Sequence, residues 1–287
     1  MPSESMSDDD LAGRITRVTS VDAAPLADFR NLRDREVARA RGAFIAESEV
    51  VLRVLVAQRR HWDVRAVLLA ERRLDKLRDV LVDLPPDVPV FVAPTEALHC
   101  VVGFHLHRGV LASVTRPPVP TPEVVLDGFG PGAPRRVVVL EGLTNHDNVG
   151  GVFRNAAAFG ADAVLFDPAT CDPLYRKAIR VSVGGTLVVP FARGPSSAHH
   201  LDVLQRAGFH CFALSPRADA MDLRALGDED VPERMALLLG TEGAGLRPET
   251  MTRADAIVRI DIAPGFDSLN VATASGIALH ALRRGTK

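Results

Sequence analysis

Short apolar runs bounded by turn residues alternate with stretches of helical periodicity along most of the chain. Ala43-Phe44-Ile45-Ala46 reads as a strand, and Ser48 is placed to cap a helix carrying Val50, Val51, Val54 and Leu55 at helical spacing. Strands at 64–69, 90–92 and 109–114, with a helix over 71–81 that keeps Leu74, Leu77 and Leu81 on one face, predict a small α/β layer domain. After residue 136 the alternation sharpens. Strands are expected at 137–140, 163–166, 187–191, 210–214, 235–239 and 257–260, and helices at 148–159, 173–181, 198–207 and 269–282. Repeated βα units with nearly continuous apolar strands imply an open, mostly parallel sheet with helices on both faces. Ligands bind such sheets beyond the carboxyl ends of the strands. The loops after Leu140, Leu239 and Ile260 are therefore the informative ones.

Between the two regions, Thr115 to Pro134 holds six prolines and three glycines, too many for a helix or an inner strand. The expected organisation is an acidic disordered tail over 1–13, a first domain over 14–116, a linker over 117–134 and a second domain over 135–287. Composition agrees with two globular domains: 287 residues, 47% apolar and 24% charged. No run reaches the roughly 18 apolar residues of a membrane span, and the polar, acidic first ten residues are the reverse of a secretory signal. Three separated cysteines, Cys100, Cys171 and Cys211, suit neither a zinc site nor a disulfide framework. A cytoplasmic protein without metal is the expectation.

The net charge of −2 conceals an uneven distribution. Residues 14–116 carry 17 basic and 13 acidic side chains, a net +4, while 117–287 carry −2 and the tail −4. Of the 34 basic residues 31 are arginine, the planar donor that suits phosphate. Arg30, Arg33, Arg35, Arg39 and Arg41, mixed with Asp34 and Glu36, read equally as a solvated helix face or as a phosphate-contacting patch.

Gly240-Thr-Glu-Gly-Ala-Gly245 is glycine-rich after a strand but lacks the lysine and hydroxyl of a P-loop, and the spacing of a dinucleotide-binding loop is absent. The first loop, Glu141 to Asn155, contains Asn148, a natural helix N-cap, and Arg154 less than two turns further on. In the third, Ser268 and Asn270 flank a helix start where capping accounts for one of them. Three such loops after parallel strands are expected to converge on one crevice.

At these residues the sequence resembles the SpoU (TrmH-like) RNA 2′-O-ribose methyltransferases of the SPOUT superfamily. The resemblance lies in Asn148-Val-Gly150 followed by Arg154, in Arg180-Val-Ser182-Val-Gly184, in Leu238-Leu-Gly240-Thr-Glu242-Gly-Ala-Gly245-Leu246, and in Ile260-Asp-Ile262 through Ser268-Leu-Asn270 to Gly276. All four segments stand in family order and cover residues 136–284. Residues 41–49 and 109–112 resemble, more loosely, the ribosomal-protein-like substrate-binding domain fused in front of such enzymes, with Ser48 where glycine is usual. Asn145-His146 stands where Asp-Pro is common in the first motif.

The resemblance implies S-adenosylmethionine as methyl donor, a deep C-terminal trefoil knot, a homodimer and an RNA substrate, ribosomal RNA being favoured over transfer RNA. It implies a cofactor site of Leu239, Gly240, Thr241, Gly245, Leu246, Ile260, Ile262, Ser268 and Leu269. Arg154 would act on the reacting ribose or its phosphate, with Asn148, Glu242, Ser268 and Asn270 orienting it, the ribose and the cofactor. RNA contacts would fall to Arg30, Arg33 and Arg41 of the front domain. The competing class is a non-catalytic RNA-binding or ribosome-associated module that keeps the fold.

Overall fold

A computed structural model describes residues 8–18, 24–30, 41–102, 108–130 and 135–283. The chain divides into two units, residues 1–117 with 174–187, and residues 118–173 with 188–287.

In the first unit, helix α1 (Asp8–Arg14) precedes five strands, β1 (Ile15–Arg17), β2 (Ala43–Glu47), β3 (Val64–Ala70), β4 (Val90–Ala93) and β5 (Val110–Thr115). They form one mixed sheet in the order β1-β4-β3-β5-β2, with β5 antiparallel to both of its neighbours. Helices α2 (Glu49–Ala57), α3 (Leu74–Val82) and α4 (Thr95–Val102) follow β2, β3 and β4 in the chain. Ile45, Leu68, Phe91 and Leu111 pack on one sheet face against Phe29, Leu98 and Val102. The Ser48 hydroxyl caps α2, accepting from Val51 N–H at 3.4 Å.

Two boundaries differ from expectation here. The acidic tail foreseen over 1–13 is helical from Asp8 onward, because Leu11 buries its side chain. Residues 174–187, assigned by sequence order to the second domain, cluster with the first unit. Glu47, only 3% exposed, is compensated by Arg176 at 2.9 Å and Arg180 at 3.7 Å, and Trp62 Nε1 donates to the Leu187 carbonyl at 2.8 Å. A buried carboxylate without such cations would be costly, which fixes this segment in place.

The second unit begins with α5 (Pro122–Asp127), inside the stretch read as a linker. Pro122 at the first helical position needs no N–H partner and already has helical φ, while Leu126 enters the core. Next come β6 (Arg135–Leu140), α6 (His146–Ala158), β7 (Ala163–Phe166), β8 (Phe191–Arg193), α7 (Ser197–Arg206), β9 (His210–Leu214) and β10 (Met221–Asp222). The unit closes with β11 (Arg234–Leu239), α8 (Pro248–Arg253), β12 (Ala256–Arg259) and α9 (Val271–Ala281). The sheet runs β10-β12-β9-β11-β6-β7-β8 and every pairing is parallel.

β6 and β11 lie side by side near the middle, and Val137 to Leu140 are all buried. Each such side chain contributes about 1.5–3 kcal/mol relative to exposure. Leu201 and Leu204 of α7 pack with Val137, Val139 and Leu238 in one core cluster. α6 and α9 pack tightly on each other. A Cβ on Gly151 would lie 2.5 Å from that of Ala272, and Asn155 Nδ2 donates to the Ala272 carbonyl at 2.6 Å. The strand expected at 187–191 is instead a helical turn, Gly185–Val188, followed by β8. Pro190, which has no N–H for a ladder, separates the two. Among the described residues no helix is long and apolar enough to cross a membrane.

Candidate active site

Three parallel strands of the second unit, β9, β11 and β12, stop at one edge of the sheet and release their loops on the same side. Ser215 and Pro216 follow β9, Gly240 to Gly245 follow β11, and Ile260 to Ile262 follow β12. All of these but Ala244 and Asp261, together with Ser268 to Val271 and Ala274, line a cavity of about 340 Å³. Of the three loops expected to converge, those after Leu239 and Ile260 meet here within a single unit; the loop after Leu140 does not line the cavity, and the loop after β9 stands in its place.

The β11 loop is closed at its neck by two backbone hydrogen bonds, Thr241 N–H to the Gly245 carbonyl at 3.1 Å and the reverse at 3.0 Å. That closure requires glycine at 240, where a Cβ would fall 2.1 Å from the Gly245 carbonyl carbon. Gly243 has φ 82°, in the left-handed region that glycine enters without strain, and open space where its Cβ would stand. The backbone of this loop is thus exposed to a ligand. Leu214, Leu239, Ile260 and Ile262 add apolar wall. Ion pairs brace the β12 side: Arg224 bridges Asp222 (2.8 Å) and Asp261 (2.6 Å), and Arg259 reaches Asp261 at 3.0 Å. The Arg224 hydrogen bond holds the Asp222 carboxyl down to about 2.

Asn270 is the N-cap of α9, its Oδ1 accepting from Ala272 N–H at 2.9 Å and Thr273 N–H at 3.3 Å. Its Nδ2 donates to Asn148 Oδ1 at 2.9 Å. Asn148 is therefore not the cap of α6 that the sequence suggested. Asn145 caps that helix, accepting from Asp147 N–H at 2.9 Å, and Asn148 sits in the first turn, 5% exposed. Both asparagines are cap-competent, and the chain uses the first as cap and the second as a cross-link to the pocket.

Of the nine residues expected at the cofactor site, Leu239, Gly240, Thr241, Gly245, Ile260, Ile262, Ser268 and Leu269 line the cavity. Leu246 does not; it is 4% exposed and belongs to the core with Leu238 and Leu204. Of the residues expected to act in catalysis, Glu242 and Asn270 line the cavity beside Ser268. Arg154 is exposed on α6, outside that lining, with no hydrogen bond or ion pair among the described residues. Leu214, Ser215 and Pro216 were missed. Their signal was positional, a loop at the end of a parallel strand, without a distinctive residue.

On the first unit, Arg41 is held by Asp28 at 3.6 Å and donates to the Ala27 carbonyl. Asp28 also faces Arg65 at 3.6 Å and accepts from Ser113 Oγ at 2.7 Å, so the Arg41 charge is partly neutralised. Arg30 is half-buried, at the end of the 3₁₀ turn Ala24–Phe29, and Arg33 lies outside the described residues. Among the described residues no cluster of His, Cys, Asp or Glu could hold a metal.

The model of the SpoU rRNA methylase family matches residues 135–280. An uncharacterized tRNA/rRNA methyltransferase of Mycobacterium bovis is 38% identical over 93% of this chain and 91% of its own length. A 23S rRNA (guanosine-2′-O-)-methyltransferase of Pseudomonas syringae is 31% identical over 77% of this chain and 88% of its own. The fold is that of an AdoMet-bound rRNA methyltransferase from Sinorhizobium meliloti, with a TM-score of 0.76 and 24% identity over 95% of this chain and 98% of that one. The SpoU methyltransferase AviRb from Streptomyces viridochromogenes in complex with AdoMet gives 0.76 and 23% over 91% and 98%. With half of its length under the family model and a relative more than a third identical along almost all of it, the chain belongs to the SpoU rRNA methylase family.

Proposed function

We propose that this protein is an S-adenosylmethionine-dependent RNA 2′-O-ribose methyltransferase acting on ribosomal RNA. The observation that carries the reading is the cavity where eight of the nine expected cofactor residues, Ser268 among them, meet Glu242 and Asn270. The name of the Pseudomonas relative supports the ribose hydroxyl and the ribosomal substrate. The cavity suits the cofactor chemically. Leu214, Leu239, Ile260 and Ile262 offer apolar surface for an adenine, and the open face of Gly243 admits a ligand against the backbone.

Bound there, S-adenosylmethionine would supply the sulfonium methyl group. The chain's own task is to hold the 2′-oxygen in line with it, and such positioning is a large share of the barrier to transfer. The Asn148–Asn270 bond keeps the first turn of α6 beside the pocket. A guanidinium is a donor only and remains protonated. Arg154 is accordingly assigned to clasp the adjacent RNA phosphate in bidentate fashion and to stabilise charge growing on the oxygen, whose proton would pass to that phosphate or a neighbouring group as the neutral thioether departs. Because Arg154 does not line the pocket of its own chain, a homodimer that brings a second copy to the site belongs to the same proposal, as do the C-terminal trefoil knot and a cytoplasmic location. The basic front domain is assigned to RNA recognition, through Arg30, Arg33 and Arg41.

The test combines calorimetry of S-adenosylmethionine binding with mapping of ribose methylation on ribosomal and transfer RNA from cells with and without the protein. A ribosomal 2′-O-methyl group present only with the protein is the expected result. Cofactor binding with methylation confined to transfer RNA overturns the substrate, and absence of binding overturns the enzyme.

A further inference from the structure

Glu141, the first residue after β6, is 1% exposed and does not line the cavity. A carboxylate so buried must find strong donors. Its Oε1 accepts from Arg247 N–H at 2.6 Å, and its Oε2 accepts from the Thr250 hydroxyl at 2.5 Å. Thr250 is itself 4% exposed. The Glu141 backbone N–H donates to the Leu239 carbonyl at 2.9 Å.

Leu239 is the last residue before the pocket loop and Arg247 follows Leu246 directly after it. One residue therefore grips both ends of the segment Gly240–Leu246. The next residue adds a steric stop: Gly142 has φ 69°, and a Cβ on it would lie 2.8 Å from Thr241 Cγ2.

We propose that Glu141 is a positioning residue that sets the shape of the Gly240–Gly245 loop and, through it, the affinity for S-adenosylmethionine. The inference rests on the cofactor reading above but concerns a side chain that touches no ligand. Burial alone would make Glu141 a stability element. Its placement across both ends of the loop makes the loop's geometry depend on it.

The comparison uses the full chain as wild type, Glu141→Ala, Glu141→Gln and Thr250→Val, each measured by calorimetry with S-adenosylmethionine and by amide hydrogen exchange without ligand. Glu141→Ala is expected to weaken binding about tenfold, the scale of one lost charge-assisted hydrogen bond, and to remove protection from 241–247. Glu141→Gln is the rescue: its carbonyl accepts from Arg247 N–H while its amide donates to the Thr250 hydroxyl, so binding stays within about threefold of wild type. Protection lost at 241–247 while exchange elsewhere stays at wild-type values separates a loosened loop from a general loss of stability, which would lower protection throughout the unit.

A folded Glu141→Ala protein with wild-type affinity and wild-type loop protection overturns the proposal, as does a glutamine variant no better than alanine. Should the alanine variant fail to fold, Thr250→Val breaks one of the two side-chain contacts and carries the test. About threefold weaker binding supports the proposal and unchanged binding overturns it. Absence of wild-type binding would defeat the cofactor reading instead, and exchange at 241–247 would still decide whether Glu141 orders the loop.

Discussion

Asn270 Nδ2 donates to Asn148 Oδ1 at 2.9 Å, joining two helix starts that are 122 residues apart in the chain. The same Asn270 side chain caps α9 through its oxygen, so its two ends do separate work. Asn270→Ala is expected to cost about 2–3 kcal/mol, a lost N-cap plus a lost cross-link. Asn148→Ala removes the cross-link alone and is expected to cost about 1 kcal/mol. A double-mutant cycle in urea should return a coupling of about 0.5–1 kcal/mol, and a coupling of zero would show that the bond does not tie the two helices.

The central strands were legible because Val137 to Leu140, Ala163 to Phe166 and Met235 to Leu239 are apolar runs that only a doubly covered sheet can bury. What was not legible depended on partners distant in sequence. Nothing local distinguishes Asn145 from Asn148 as a cap; the choice follows from Asn270. β10 is two residues long and exists through its pairing with β12, below any periodicity threshold. α5 was hidden by the prolines around it, since Pro122 starts a helix as readily as it breaks one. The site followed the same division. Glycines and polar residues announced the β11 loop, while Ser215 and Pro216 join the cavity by position alone and Leu246 faces the core behind it.

Ser48 occupies φ 107°, ψ 156°, a backbone region that side chains rarely enter. Such a conformation costs about 1–3 kcal/mol. Glycine removes that strain, loses only a few tenths at the cap, and adds roughly 0.5–1 kcal/mol of unfolded-state entropy. Ser48→Gly is therefore expected to raise stability by up to about 2 kcal/mol. Ser48→Ala keeps the strain and loses the hydroxyl that accepts from Val51 N–H, for a loss of about 1 kcal/mol. Opposite signs in chemical denaturation are the signature; a loss for both would mean that the strain is absent.

His200 is fully buried, and neither ring nitrogen has a hydrogen-bond partner among the described residues. A Cβ on Gly194 would lie 2.4 Å from its Nε2. Burial pushes the imidazole down from 6.5 to about 4; His199 adds to this, while Asp167, Glu123 and Glu141 oppose it. Below pH 6.5 the unfolded chain takes up a proton that the folded one refuses until about pH 4. Stability should therefore be full above pH 6.5 and fall by up to about 3 kcal/mol as the pH drops through that window. Asp222, held down to about 2, loses its contribution only below about pH 3.8, so the two groups separate on the pH axis. Urea melts of His200→Gln at pH 7 and pH 4.5 should show the slope over this range flattened; an undiminished slope would assign it to other groups.

Arg154 stands exposed on α6 and makes no ion pair among the described residues. Surface side chains of this kind change stability by no more than about 0.5 kcal/mol on substitution. If its guanidinium acts on the ribose and its phosphate, Arg154→Ala should abolish methyl transfer while leaving the melting temperature and S-adenosylmethionine affinity at wild-type values. Arg154→Lys keeps the charge but loses the bidentate fork, so it should recover only a small part of the rate. The proposed homodimer makes a further demand. Mixing Arg154→Ala with a pocket variant such as Asn270→Ala, each inactive alone, would restore activity in heterodimers if the arginine serves the partner's pocket. No restoration would place Arg154 at the pocket of its own chain, and wild-type turnover by Arg154→Ala itself would remove it from the chemistry altogether.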